Sequence, residues 1–260
     1  MSEDYFIGVH DRELERLKAQ HRAWLPETEA LWTAAAFGPG QHVVDLGSGP
    51  GFAAVDLAKR VGRVTAIDKA ANFLDHVRRQ EIANVATLVR DLTRDDLKET
   101  FDGAFCRWFL AFLIADLDAV LDRIHASLRP GGVLAAMEYL GVEGVTSSPP
   151  MRGFDAHTRA WIDFYRANGG DTSIGRYLPQ RLEQAGFRIR SVRVVGGLAH
   201  RGERWWHWWG RLFDDFGDTL VGGGFMAADE LANLKIDWIH APPGAFIHTP
   251  LLLQVVAERR

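Results

Sequence analysis

The sequence predicts an α/β protein built on a doubly wound, mostly parallel sheet. Three observations predict it. Short β-branched runs alternate with helical patterns through the first half of the chain, and such alternation folds as strands joined by crossover helices. The runs end at or beside Asp45, Asp68, Asp91, Arg107 and Glu138, and ligands of such sheets sit outside the carboxyl ends of the strands. The first run also opens into a glycine-rich turn, Gly47-Ser48-Gly49-Pro50-Gly51.

Taken in order, residues 11–36 read as a helix, with Leu14, Leu17, Trp24 and Leu31 among its apolar positions. Residues 1–40 thus form a helical lid over the ligand's mouth. Val43-Val44-Asp45-Leu46 is the first strand, and Phe52 to Arg60 the helix after it. Further strands are Val64 to Asp68, Ala86 to Val89, Phe101 to Cys106, and Val133 to Met137. The last of these follows the turn Arg129-Pro130-Gly131-Gly132 and completes a core of residues 41–139. Residues 140–172 hold a Pro/Ser connection (Ser147-Ser148-Pro149-Pro150) and a helix from Thr158 to Ala167. A helix from Ile174 to Ala185 stops at Gly186. Strand candidates run from Arg188 to Val195 and from Ala245 to Ala257, with residues 197–244 inserted between them as a cap. The whole, 1–260, reads as a single domain.

The loop's spacing narrows its ligand. Glycine lets a ligand press against bare backbone, and the helix behind offers unpaired N–H donors. A dinucleotide fingerprint needs a third small residue at Phe52, where phenylalanine blocks close helix–strand packing. Asp45 beside the loop repels a pyrophosphate and suits a cationic ammonium. No G-K-[ST] follows, so a P-loop is absent. Asp68, at the end of the second strand, can accept both hydroxyls of a ribose. Asp91 reads equally well as a helix N-cap for the Asp95–Leu97 region, and Arg107 as a surface charge or a partner of Glu138.

These residues resemble the class I S-adenosylmethionine-dependent methyltransferases, in a small-molecule branch. The resemblance rests on Val-Val-Asp-Leu-Gly-Ser-Gly-Pro-Gly (43–51), Ala-Ile-Asp (66–68), Arg-Asp-Leu (90–92), Phe-Asp-Gly-Ala-Phe-Cys-Arg-Trp (101–108) and Leu-Arg-Pro-Gly-Gly (128–132). Tyr5-x-x-Gly8 and Arg16-Leu17-x-x-Gln20 add to it. It implies a Rossmann-like sheet of seven strands whose last strand inserts antiparallel beside the fifth. It implies S-adenosylmethionine as cofactor. Gly47, Ser48 and Gly49 then approach the methionyl part, with Asp45 near the ammonium group. Asp68 and its neighbour Lys69 meet the ribose, and Asp91 and Leu92 the adenine, with Phe73 over its face. The backbone of Cys106 and Arg107 completes the methionine pocket, and Tyr5 and Gln20 join the cofactor set.

The cap holds the most unusual composition, Trp205-Trp206-His207-Trp208-Trp209. Trp205, Trp208, Trp209, Leu212, Phe213 and Phe216 share one helical face, which reads as core. Trp206, off that stripe, is the candidate for the substrate pocket, with Trp108 and Tyr139 at the ends of the fourth and fifth strands. A sulfonium methyl is already activated, so transfer needs in-line positioning more than chemistry. An O–H or protonated N–H acceptor also needs a base, for which His200, His207 and Glu138 are candidates. The fourth strand ends in Cys-Arg-Trp-Phe and lacks the Asn/Asp-Pro-Pro-Tyr/Phe motif for planar exocyclic amines.

Composition bounds the rest. The chain of 260 residues is 47% hydrophobic, with net charge -4 and pI about 6.2. No basic cluster is long enough to track nucleic acid. One cysteine, Cys106, allows no internal disulfide and fits a reducing cytoplasm. The charged N-terminus is no secretory signal, and no apolar run reaches the ~20 residues that span a bilayer. The histidines show no metal spacing. The expected activity is methyl transfer to an O or N nucleophile of a small molecule. The alternatives are a non-methylating cyclisation or rearrangement on the same fold, a peptide acceptor, and a nicotinamide oxidoreductase, which Phe52 and Asp45 oppose. Monomer and homodimer both remain open.

Overall fold

The computed structural model describes residues 11–260, with side chains from residue 13 onward. Tyr5 and the Tyr5-x-x-Gly8 element lie outside the described residues. Strands β1 (His42–Leu46), β2 (Arg63–Asp68), β3 (Val85–Val89), β4 (Phe101–Arg107) and β5 (Leu128–Gly141) pair in parallel. They join β7 (Phe187–Val195) and β10 (Leu251–Arg259) in one seven-stranded sheet of order β3-β2-β1-β4-β5-β10-β7. Strand β10 is antiparallel to both β5 and β7, as the sequence resemblance implies. Val43, Val44, Leu46 and the run Val133 to Tyr139 are buried without alternation. Helices therefore cover both faces of the central strands.

The register levels the strand ends. Leu46 stands opposite Ile67 on β2 and Cys106 on β4. The residues after them open onto one edge of the sheet. There the chain turns into α2 (Phe52–Ala58), α3 (Ala71–Arg78) and, after two 3₁₀ turns, α4 (Leu117–Ser127).

Helix α1 (Asp11–Ala34) runs over this edge and through Pro26. Near the proline, Thr28 Oγ1 donates to the Trp24 carbonyl at 2.8 Å and Gln254 Nε2 to the Glu27 carbonyl at 2.7 Å. The helix packs on β5 and β10 and on α7 (Arg204–Asp215). Trp24 is the hinge of that contact. It is fully buried and meets Trp108, Trp205 and Trp208 at centroid distances of 5.8, 4.8 and 5.4 Å.

Several boundaries differ from expectation. The strand expected from Ala245 to Ala257 breaks into β9 (Phe246–His248) and β10. Pro250 lies at the break, and a residue without an N–H cannot continue a ladder. Strand β9 instead pairs with β6 (Thr146–Ser148) and β8 (Leu198–His200) in a small antiparallel sheet. The inserted cap is therefore not purely helical; α7, α8 (Gly217–Gly222) and α9 (Ala228–Ile239) rest beside that sheet. Helix α5 (Phe154–Ala167) begins four residues before Thr158. The helix expected from Ile174 opens as a 3₁₀ turn and becomes α6 only at Leu178. No helix forms at Asp95–Leu97.

Truncating the hinge measures what it holds. Trp24→Ala is expected to cost about 3–5 kcal/mol, the usual loss for a fully buried tryptophan, read by denaturant unfolding. A loss under about 1 kcal/mol would mean that α1 is fastened elsewhere.

Candidate active site

The strand ends enclose a cavity of about 300 Å³. Its floor is the glycine loop. Gly47, Gly49 and Gly51 have φ of 66°, 52° and 78°, a region that L side chains avoid. A Cβ on Gly47 would stand 2.3 Å from Phe109 Cδ2, so the loop and the segment after β4 approach as only glycine allows. Asp68 fixes the loop from the next strand. Its Oδ2 accepts the Gly49 N–H and its Oδ1 the Ala70 N–H, both at 2.8 Å. Burial raises the Asp68 carboxyl above its ordinary value, partly offset by these bonds. Each oxygen keeps a second lone pair for a ligand hydroxyl.

Asp45 is the exceptional group of the floor. It is buried, lines the cavity, and its Oδ2 has no hydrogen-bond partner. Burial pushes it up to about 7, against the pull of Arg107 and with a push from Asp68. An orphaned buried carboxylate oxygen suits an incoming ammonium, so the residues present fit the methionyl end of S-adenosylmethionine.

Arg107 closes the floor from β4. Its guanidinium is held down to about 10 by burial, with Asp45 opposing the shift. Nη1 donates to Thr28 Oγ1 at 2.8 Å and Nη2 to His21 Nδ1 at 3.2 Å. A guanidinium can only donate, so His21 carries its proton on Nε2 and gives it to Asp56 Oδ2 at 2.8 Å. Burial first, then Arg107, lowers His21 to about 4, and it stays neutral. Arg107 is therefore neither a surface charge nor the partner of Glu138.

Glu138 corrects a second expectation. Its buried carboxylate lies behind the cavity and accepts the backbone N–H groups of Phe109 and Leu110 at 2.9 Å and of Ala111 at 3.4 Å. Burial pushes it up to about 7 against those bonds. It organises the segment after β4 and does not reach the cavity as a base. His200 and His207 are exposed and line no part of it. His200 stacks edge-on with Phe246 in the small sheet. Trp206 is buried against Trp238, with ring centroids 3.8 Å apart, outside the cavity. Cys106 is buried beneath the floor and does not line it.

The other expected residues do come together. Gln20, Asp45, Gly47, Ser48, Gly49, Asp68, Lys69, Phe73, Asp91, Leu92, Arg107, Trp108 and Tyr139 all line the cavity. Asp91 both lines it and closes a turn, with Oδ1 accepting from Thr93 N–H and Oγ1. Among residues not foreseen are His21 on α1, Trp161 and Tyr165 on α5, Leu212 on α7 and Phe216 just after it. Trp161 and Tyr165 stand four apart, one helical face, but that spacing alone marks core as readily as a site. Among the described residues, none is grouped to hold a metal ion, and no helix is long and apolar enough to cross a membrane.

An open sheet with an acid at each of its first strand ends and a glycine loop between them defines a nucleoside-cofactor enzyme. Comparison with known proteins gives the family. A methyltransferase domain model matches residues 43–132. The chain is 32% identical over 176 residues to a carboxy-S-adenosyl-L-methionine synthase of Shewanella amazonensis, covering 59% of this chain and 68% of that protein. It is 30% identical over 148 residues to the 2-phytyl-1,4-naphtoquinone methyltransferase of a Nostoc species, covering 52% and 62%. The crystal structure of an S-adenosylmethionine-dependent methyltransferase from Mesorhizobium loti superposes with a TM-score of 0.56 at 19% identity, over 91% of this chain and 98% of that one. Matches to individual carboxy-S-adenosyl-L-methionine synthases span from 55% to 68% of their lengths. The chain belongs to the class I S-adenosylmethionine-dependent methyltransferases, and S-adenosylmethionine is the cofactor of that family.

Two pH effects follow from the buried acids. Asp45 must ionise to hold an ammonium, so S-adenosylhomocysteine affinity rises between about pH 6 and 8. Calorimetric titration checks this; Asp45→Asn is expected to bind about tenfold more weakly, with no rise. A rise that persists in Asp45→Asn belongs to another group. Glu138 and Asp45 also keep protons in the folded chain that the unfolded chain has released. Their contribution to stability therefore falls as the pH rises from about 4 to 7, opposed by His21 and His157, whose burial holds them neutral at about 4 and about 3 and whose contribution rises up to about pH 6.5. Glu138→Gln is expected to remove its part of that fall and to cost about 1–3 kcal/mol near pH 8, where the native side chain is a carboxylate and an amide offers one acceptor oxygen in place of two. Urea unfolding across the window measures both, and an unchanged slope would take Glu138 out of the account.

Proposed function

We propose that the protein transfers a methyl group from S-adenosylmethionine to an O or N nucleophile of a small molecule, by in-line displacement in a capped pocket. One observation carries the reading. The cavity runs without interruption from the acids at the ends of β1 and β2 to aromatic side chains at β4, β5, α5 and α7. A charged, polar cofactor suits the first half and an apolar acceptor the second.

When bound, S-adenosylmethionine supplies a methyl group already activated by its sulfonium. The protein's own work is then placement. Asp45 holds the ammonium, Asp68 takes the ribose hydroxyls, and Phe73, Asp91 and Leu92 surround the base. Gln20 and Ser48 complete the methionyl contacts, with Lys69 flanking the ribose acid. Trp108 and Tyr139 border the place where acceptor and methyl meet. Helix α1 and the aromatic roof exclude water, which strengthens the electrostatics inside. Holding two reactants at near-attack distance is worth several kcal/mol.

A second reading is a reaction on this fold other than methylation. The name of the carboxy-S-adenosyl-L-methionine synthases favours it, since their product is the altered cofactor itself. A peptide acceptor is a further possibility under the same roof. One assay separates these. The intact protein is titrated with S-adenosylmethionine and then turned over with a panel of small aromatic acceptors and short peptides. S-adenosylhomocysteine with an acceptor gaining one methyl is the expected result. Cofactor binding without S-adenosylhomocysteine from any acceptor supports the second reading. Unchanged cofactor binding in Asp68→Ala would remove the cofactor placement.

A further inference from the structure

Resting on the methyl-transfer reading, we infer that the acceptor is a neutral amine, which enters the aromatic half of the cavity as its free base and is methylated without a protein base.

The argument begins with the walls. Trp108 stacks on Tyr139 at 5.8 Å, and Tyr139 meets Tyr165 edge-on at 5.9 Å. Tyr165 stacks on Trp161 at 5.8 Å, and Trp161 meets Phe216 edge-on at 5.6 Å. All five rings line the cavity. They form a continuous wall from the ends of β4 and β5 up through α5 to the end of α7.

The wall's own polar groups include the Tyr139 and Tyr165 phenols, which stay protonated at working pH and so are no base; the charged groups lie elsewhere. Asp45, Asp68, Lys69, Arg90 and Asp91 stand at or just beyond the ends of β1, β2 and β3. Arg16, His21 and Arg107 stand on α1 and at the end of β4. Arg16 is bound by both oxygens of Glu13 at 2.7 Å. Both nitrogens of His21 are taken, by Arg107 and Asp56. Among the described lining residues, α5 and α7 contribute no carboxylate, imidazole or amine.

Such a wall acts in opposite directions on the two common nucleophiles. Burial in an apolar site favours the neutral form of any acid or base. A phenol or alcohol is thereby kept protonated and unreactive. An alkylamine, ordinarily an ammonium near neutral pH, is pushed toward the free base that carries the reactive lone pair. The nitrogen lone pair forms the N–C bond as the C–S bond breaks with its electrons left on sulfur. Positive charge thus passes from sulfur to nitrogen. The aromatic faces attract that new cation, and the product leaves as the methylated ammonium; the one proton that the reaction releases is the one shed to water when the amine entered as its free base.

The test uses the full chain saturated with S-adenosylhomocysteine. Benzylamine, phenethylamine, tryptamine and their N-methyl forms are titrated beside the matching phenols, by calorimetry in buffers of different ionisation heat. The expected result is release of about one proton per amine bound when the pH lies below the amine's own pKa. In turnover with S-adenosylmethionine, the pH midpoint of kcat/KM should follow the pKa of each amine. Trp161→Leu should lower kcat about tenfold, since the cation that forms on nitrogen loses an aromatic face, and Trp161→Phe only about two- to threefold. Binding without proton release, a midpoint that ignores the amine, or no amine bound overturns the inference. Methylation of phenols alone overturns the amine class and leaves methyl transfer standing. Cofactor binding with no S-adenosylhomocysteine from either class overturns both.

Discussion

A guanidinium buried at the end of the fourth strand constrains everything around it. Arg107 cannot give up its proton at working pH, so the interior must supply acceptors or a negative charge. Thr28 and His21 supply the acceptors from α1, and Asp45 the charge from β1. Each of these has a further consequence. Thr28 and His21 fasten α1 across the sheet edge. His21, forced to accept on Nδ1, must donate to Asp56 and so ties in α2. Asp45, held near Arg107 yet short of one hydrogen bond, remains the group that a cationic ligand can complete. Helix α1, the loop helix and the floor of the cavity are therefore parts of one electrostatic arrangement.

The next residue carries the aromatic half. Trp108 has φ of 52°, a strained value for a bulky side chain. Two fixtures hold it there. Its N–H donates to the Met137 carbonyl at 3.0 Å, and Glu138 gathers the three N–H groups that follow. The sharp turn directs Trp108 toward Trp24 and Tyr139 instead of continuing the strand. Buried carboxylates thus do two different jobs on the two strands that flank β4. Asp45, which lines the cavity, keeps one buried oxygen without a hydrogen-bond partner, and Glu138 uses its oxygens to hold the wall.

The strand ends were legible in the sequence because they combine two local signals, a β-branched run and the polar residue that stops it. Asp45, Asp68 and Asp91 needed no knowledge of packing. The roof was not legible, because helical periodicity tells which face is apolar and not what that face meets. Trp206 lies off the main stripe and looked free for a ligand. Its partner is Trp238 on α9, and Gly210 leaves the room for it: a Cβ there would stand 2.5 Å from Trp238 Nε1. His21 was missed for the opposite reason. One histidine in a long amphipathic helix carries no motif, and its role arises from Asp56 and Arg107, far away in sequence. Glu138 shows the limit of reading strand ends alone. It lies inside β5, which runs on to Gly141, and its side chain turns to the backbone that follows β4.

Helix α1 belongs to both halves of the cavity. Its Gln20 and His21 line the ionic side, while its Trp24 lies against Trp205 and Trp208 of the roof helix. Arg204 and Glu27 add an ion pair between the same two helices at 2.5 Å, and the Trp208 indole N–H reaches Gln20 Oε1 at 3.4 Å. Packed aromatic contacts of this kind resist small displacements, because a well-filled interior transmits strain instead of absorbing it. Helix α1 cannot then leave the ionic side without dragging α7, and α7 carries Phe216 into the aromatic wall. A ligand that orders α1 through Arg107 and Asp45 therefore also orders the surface that an apolar second ligand would meet. The two halves are chemically opposite, yet the same helix sets the shape of each.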